Sequence, residues 1–146
     1  MQGYHHILLA VDFSDHSHTV AERAKELSER YQAKLSIVHV TDNLPISSAM
    51  DGQIMPFDIE LNEELMRFSK QRLEKLGKEL GVKDENQWLV IGSPKIEIVT
   101  IAEENQVDLI VVGSHGRHGL ALLLGSTANG ILHHAQCDVL AVRLKE

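Results

Sequence analysis

Five short apolar runs, separated by stretches in which apolar residues recur at helical spacing, organise this chain. Ile7, Leu8, Leu9, Ala10 and Val11 form a continuous run bounded by polar residues, the pattern of a strand buried on both faces. Ser14 is the expected N-cap of a helix whose inner stripe is Val20, Ala21, Ala24, Leu27 and Tyr31, with Glu, Arg and Lys between them. Residues 35–40, LSIVHV, are β-rich and predict a second strand. Residues 41–58 contain Pro45, Gly52, Pro56 and the Ser47-Ser48 pair without periodicity, and read as a mobile loop. Leu61, Leu65, Phe68, Leu73, Leu76 and Leu80 mark one face of a long helix that Gly81 ends through a left-handed cap. Residues 88–91 predict a third strand. Ser93 and Pro94 then stand as N-cap and first position of a helix with Ile96, Val99, Ile101 and Ala102 on its buried side. Residues 109–112 predict the fourth strand, residues 126–134 a helix and residues 139–142 the last strand.

Strands alternating with amphipathic helices imply an α/β fold, a single parallel sheet with helices on both faces joined by right-handed crossovers. No repeat, linker or low-complexity tract divides the chain, so residues 1–146 are expected to form one domain. The composition, 43% hydrophobic and 24% charged, is that of an ordinary globular protein. With 14 Lys and Arg against 21 Asp and Glu, and no basic cluster, the chain repels a phosphate backbone, so a nucleic-acid partner is disfavoured. Cys137 is the single cysteine, which excludes an internal disulfide framework. The run at residues 7–11 is too short for the apolar core of a secretion signal, and no run approaches membrane-spanning length. A cytoplasmic protein with no membrane partner is the expectation.

Ligands of open parallel sheets bind beyond the carboxyl ends of the strands, where the winding reverses. Two strand ends stand out: Ala10-Val11-Asp12-Phe13-Ser14, and Gly113 through Gly119 with Gly125-Ser126-Thr127 a few residues on. From Leu109 to Cys137 there is no Asp or Glu, while Arg117 and several histidines are present in an otherwise acidic chain. Gly113, Gly116 and Gly119 would let backbone amides approach a ligand, and Gly125-Ser126-Thr127 opens a helix whose first N–H groups favour negative charge. Phosphate is the natural guest. The plainer alternative is that the glycines only make a turn and Ser126 only caps its helix. Neither G-x-x-x-x-G-K-[ST] nor a G-x-G-x-x-G after the first strand occurs, so a P-loop enzyme and a typical dinucleotide site are not supported.

These residues resemble the universal stress protein family, in its UspA-type domain, over nearly the whole chain. The family's V-D-x-S stands at Val11-Asp12-Phe13-Ser14, its L-x-x-x-H-V strand at residues 35–40, its G-x-P turn at Gly92-Ser93-Pro94 and its D-L-I-V-x-G-S-H-G segment at residues 108–116. Its closing C-D-V-L-x-V-R stands at residues 137–143. The resemblance implies a five-stranded sheet in the order 3-2-1-4-5, with the reversal between strands one and four. It also implies an adenine nucleotide (AMP, ADP or ATP, with Mg²⁺ as a possible companion) held there by Ala10, Val11, Asp12 and Val40 around adenine and ribose. Gly113, Ser114, His115, Gly116, Arg117, Gly125, Ser126 and Thr127 would then surround the phosphates. Nucleotide-binding members carry G-x-x-G, nine residues, then G-[ST]; here Gly113, Gly116, Gly125 and Ser126 match, but the gap at residues 117–124 is eight. The related adenine nucleotide α-hydrolase folds carry S-G-G-x-D-S after the first strand, which this chain lacks. A homodimer pairing the last strands, from Val139 to Leu144, is implied as well.

Several residues carry rival readings. Asp12 after a strand is a common turn residue and is retained only as a binding residue. His16 with His18, and His133 with His134, lack the spacing and company of a metal site, so no metal is expected. His5 and His6 read as surface residues, His39 as a hydrogen-bonded sheet residue, His115 and His118 as members of the phosphate loop, and Cys137 as a small buried hydrophobe. No catalytic set is assignable. A nucleotide-binding homodimeric regulator of the stress response, a slow nucleotide hydrolase or transferase, and a structural dimer with an empty pocket all remain open, and the sequence names no protein client.

Overall fold

The computed structural model describes residues 3–14, 17–41, 56–114 and 125–144, without the side chains of residues 56–60. Most of the loop expected at residues 41–58 lies outside these, as do the phosphate-loop residues His115, Gly116, Arg117 and His118. The elements are β1 (His6–Ala10), α1 (Ser17–Tyr31), β2 (Lys34–Thr41), α2 (Pro56–Leu80), β3 (Gln87–Ile91), α3 (Pro94–Glu104), β4 (Leu109–Gly113), α4 (Ser126–His134) and β5 (Asp138–Val142). All strand pairs are parallel and the order is β3-β2-β1-β4-β5, as the resemblance implied.

Strand side chains alternate between two separate cores. Ile7, Leu9, Val11, Ile37, Leu109 and Val111 pack with Val20, Ala21 and Ala24 of α1 and with Leu73 and Leu80 of α2. Leu8, Ala10, Val38, Val40, Ile110 and Val112 point the other way, onto Ile98, Ile101 and Ala102 of α3 and Ala128 and Ile131 of α4. This is why β1 reads as an unbroken apolar run: with a period of two and helices on both faces, neither set of side chains meets water.

Three helices leave the sheet's lower edge by the same device. Gln32, Gly81 and Gln106, after α1, α2 and α3, have φ of 54°, 73° and 58°. In each case the next amide reaches back to the last turn: Ala33 to the Ser28 carbonyl, Val82 to Gly77 and Val107 to Ala102, at 2.9, 2.7 and 2.9 Å. This is the Schellman pattern, which satisfies helix-end carbonyls while turning the chain into the next strand. Only Gly81 announces it in the sequence.

Several expectations need correction. Ser14 is not the residue before α1; its carbonyl accepts the Ser17 amide at 3.1 Å, so it lies a turn earlier. The helix α2 begins at Pro56, inside the expected loop, where proline suits a first helical position. Strand ladders overrun the apolar runs by a residue, as at Lys34, whose amide bonds the His5 carbonyl, because backbone pairing ignores side-chain polarity. Leu61, Leu65 and Phe68 of α2 are 49, 42 and 58% exposed, so among its described side chains the buried hydrophobic residues are Leu73 and Leu80 of the second half, and Ile96 on α3 is exposed too. Cys137 is half-buried against the second core, and burial raises its thiol pKa, which leaves it a packing residue.

His6 is the clearest reversal: it is buried. Its Nδ1 lies 3.0 Å from the Asn105 carbonyl and its Nε2 2.7 Å from Ser36 Oγ, itself fully buried. A carbonyl only accepts, so Nδ1 carries the proton and the Ser36 hydroxyl donates to Nε2. Asp108 straddles the same corner, its two carboxylate oxygens accepting the amides of His5 and His6 at 2.8 and 3.0 Å. The Tyr4 phenol donates to Asp138 at the start of β5 at 2.7 Å, and this bond, burial and the Asp138 charge push its pKa up to about 12.

Burial pushes the His6 pKa down; the Asn105 carbonyl opposes the shift and Lys34 adds to it. The unfolded chain therefore binds this proton first as pH falls, and the contribution of His6 to stability is lost from about pH 6.5 downward toward its folded pKa. Urea midpoints should fall across that window, and the fall should be shallower in His6→Gln. An equally steep fall in the variant would assign the titration to another group.

Candidate functional site

The winding reverses at β1, whose neighbours β2 and β4 lead to opposite edges of the sheet. Leu9 pairs with Val111, so the residues that follow, Val11–Asp12 and Gly113–Ser114, leave the sheet side by side at its carboxyl edge. Ala10, Val11 and Val40 are buried, and the Val11 amide bonds the Val38 carbonyl at 2.9 Å. Asp12 is half-buried, and its Oδ1 accepts the Ser14 amide at 2.9 Å, the turn predicted as its plainer role. That bond uses one of two carboxylate oxygens.

Ser114 ties three segments together. Its amide donates to the Val142 carbonyl at 2.8 Å, its Oγ accepts the Leu144 amide at 3.1 Å, and its carbonyl accepts the Gly125 amide at 2.6 Å. The last bond holds the start of α4 against the end of β4. Gly125 is the N-cap, with φ −62° and ψ 156°, and Asn129 makes the first helical bond back to its carbonyl at 2.9 Å. The amides of Ser126, Thr127 and Ala128 precede the helical ladder, the N-cap Gly125 has no side chain to cap them, and no acid stands in the first turn. Gly125 has a φ any residue adopts, so backbone conformation does not require a glycine there. His133 and His134, offered as an unlikely metal pair, sit in the last turn of α4, where they face the negative end of the helix.

The described part of the candidate set thus gathers at one place: Ala10, Val11 and Asp12 from the end of β1, Gly113 and Ser114 from β4, Gly125, Ser126 and Thr127 at the start of α4. Val40, on β2, stands on the same face as Ala10. His115, Gly116 and Arg117 are outside the described residues. Among the described residues no three His, Cys, Asp or Glu side chains gather as a metal site, and no helix is long and apolar enough to cross a membrane.

Of the supports of this edge, sequence reasoning read His39 as a hydrogen-bonded sheet residue, as it is, but not its partner, and it missed Arg72. His39 is buried and its Nδ1 donates to the Val11 carbonyl at 2.7 Å. Its ring lies 4.5 Å from that of Phe13, which has φ +58°, and Arg72 Nη2 donates to the Phe13 carbonyl at 3.1 Å. Nothing in the sequence pairs Arg72 with Phe13, because the contact crosses from one helix to a loop far away in the chain.

The chain matches the universal stress protein family over residues 3–143. It is 40% identical over 146 residues to "Universal stress protein A homolog 2" of Coxiella burnetii (strain RSA 493 / Nine Mile phase I), covering 99% of both chains. Among solved structures it is similar to hypothetical protein MJ0577, studied for structure-based assignment of biochemical function, with TM-score 0.82, 32% identity and 99% of both chains covered. It is also similar to a universal stress protein in complex with cAMP, with TM-score 0.63, 25% identity and coverage of 97% of this chain and 98% of that one.

Removing the Ser114 hydroxyl leaves the part-buried Leu144 amide without its acceptor. Ser114→Ala should lower stability by about 1 kcal/mol and speed amide exchange at Leu144; unchanged exchange would mean that the bond contributes nothing.

Proposed function

The chain belongs to the universal stress protein family, and from that membership and the shape of its β1–β4 edge we propose that it binds an adenine nucleotide there and acts as a homodimeric regulator of the stress response. One observation carries the reading: the start of α4, whose N-cap glycine has no side chain to cap it and whose first turn holds no acid, is held at the winding reversal by the Gly125–Ser114 bond. Such a helix start favours an anion. The likeness to a protein in complex with cAMP, an adenine nucleotide, supports the same class of ligand.

In this reading the Ala10–Val11 backbone and Val40 border the adenine, and the Asp12 carboxylate accepts ribose hydroxyls. Gly113, Ser114, His115, Gly116, Arg117, Gly125, Ser126 and Thr127 surround the phosphates, and Mg²⁺ enters with them. The protein works in the cytoplasm as one domain, and its client is a protein whose chemistry the site does not specify. Phosphate release at saturating nucleotide would instead assign a slow hydrolase, and purified protein that neither carries nor binds nucleotide would assign a structural dimer.

The eight-residue gap at 117–124 shifts Gly125-Ser126 relative to Gly116 from the nine-residue pattern. Contacts to adenine, ribose and the first phosphate need not change, whereas groups meeting the outer phosphates no longer converge. In this reading Arg117 still attracts the extra charge, by about 1 kcal/mol at most and less in salt. Calorimetric competition should therefore place AMP and ATP within roughly tenfold of each other, with and without Mg²⁺. ATP binding more than about a hundredfold tighter than AMP would overturn the gap argument.

The dimer of this reading forms along β5, an edge strand whose Val139, Leu140 and Ala141 are only half-buried. An apolar edge of this kind needs a cover. The Val142 carbonyl faces β4, bonding the Ser114 amide, so by alternation the polar groups of Ala141 face the free edge. Ala141→Pro should spare the β4–β5 ladder and yield monomer in sedimentation at micromolar concentration. A wild-type mass of one chain would refute the dimer, and a variant that remains dimeric would place the contact elsewhere.

A further inference from the structure

The backbone after β1 is held from both sides by residues that no binding motif includes. Phe13, at φ +58°, stands in the left-handed region that a bulky L residue avoids. Arg72, on α2, reaches it twice: Nη2 donates to the Phe13 carbonyl at 3.1 Å, and the guanidinium carbon lies 4.5 Å from the centre of the Phe13 ring. The same guanidinium lies 5.6 Å from the ring of Phe68, which explains why so exposed a phenylalanine sits on that face of α2. The Phe13 ring also meets the His39 ring at 4.5 Å, and His39 Nδ1 donates to the Val11 carbonyl. Asp12 lies between these two held carbonyls, and its Oδ1 accepts the Ser14 amide on the far side of Phe13.

We propose that Arg72 is a positioning residue: by holding Phe13 in its left-handed conformation it fixes where the Asp12 carboxylate stands, and so sets the affinity of the site for a nucleotide. The effect on affinity rests on the function proposed above; the hold on the loop does not. Arg72 acts through the loop and not on the ligand. A planar guanidinium lies flat on an aromatic ring while one of its N–H groups bonds a carbonyl, whereas the compact ammonium of lysine does not reproduce both contacts, so charge alone is not enough.

The test has two readouts. In the ligand-free protein, amide exchange at Ser14 reports the Asp12 turn directly, and Arg72→Gln should speed it about tenfold, the equivalent of about 1.4 kcal/mol. Calorimetry with AMP should show affinity weakened to a similar extent, and Arg72→Lys should recover little of either. The comparison is then repeated in a Phe13→Asn background, because asparagine accepts the left-handed region more readily. There Arg72→Gln should cost no more than about twofold in AMP affinity. An equal loss in both backgrounds with unchanged Ser14 exchange would make Arg72 a charge acting on the phosphates and overturn the proposal. Failure of the unmodified protein to bind AMP would defeat the nucleotide reading alone; Ser14 exchange would still decide on Arg72, faster exchange supporting its hold on the loop and unchanged exchange refuting it.

Discussion

Everything this protein can do at a surface follows from the double burial of its central strands. Ile7, Leu8, Leu9, Ile110 and Val111 are essentially inaccessible, since helices cover the sheet on both sides. A strand so placed has no side chain left to offer solvent, and only its ends carry chemistry. The sheet's two edges have divided that chemistry between them. At the amino edge polar groups are spent on holding the strands: Asp108 binds the His5 and His6 amides, His6 bridges Ser36 and Asn105, and Tyr4 reaches Asp138. At the carboxyl edge the Val11, Phe13 and Ser114 carbonyls and the Ser114 amide are bonded in place beside the Asp12 carboxylate and the first turn of α4.

The two edges also differ in how they turn the chain. Below, helices run into strands through compact reversals closed by bonds between neighbouring residues. Above, the described residues that follow β1 and β4 are positioned by residues distant in sequence, as Ser114 joins Gly125 and the end of β5. Local closure suits a part that must only hold, because it forms with its helix. Tertiary support suits a site, because it converts packing into the fixed placement of a few polar groups.

The element order was legible because each strand is an apolar run and each helix has a periodic stripe, and double burial makes that contrast sharp. The strand order came from motif resemblance; periodicity alone does not decide which neighbours pair. Legibility failed where polarity misled. His6 looked like a surface residue because its neighbours His5 and Tyr4 are polar, yet strand alternation carries it inward, where Ser36 and the Asn105 carbonyl satisfy it. Leu61, Leu65 and Phe68 share a helical face with Leu73 and Leu80, but only the latter two pack into the first core, while the former three are exposed. Of the candidate site, the glycines and Asp12 were legible as motif positions. The His39–Val11 bond and the Arg72–Phe13 contact were not, since each depends on which surfaces the fold brings together.

The left-handed residues show where conformational strain is held. A non-glycine residue in this region costs roughly 1–2 kcal/mol, and Phe13, Gln32 and Gln106 occupy it. For Gln32 and Gln106 the offset is local: each ends a helix, and the bonds from Ala33 to Ser28 and from Val107 to Ala102 satisfy carbonyls that the helix would otherwise leave open. Phe13 ends no helix. Its conformation is sustained by an arginine from α2, a histidine ring from β2 and packing against the first core. Strain maintained by tertiary contacts persists only in the assembled fold, and here it adjoins Asp12 at the point where the winding reverses. Beyond the local Asp12–Ser14 turn, these tertiary contacts over-determine the Phe13 backbone, and strain held in that way is found at functional sites; in this chain it marks the β1 end of the proposed nucleotide cleft.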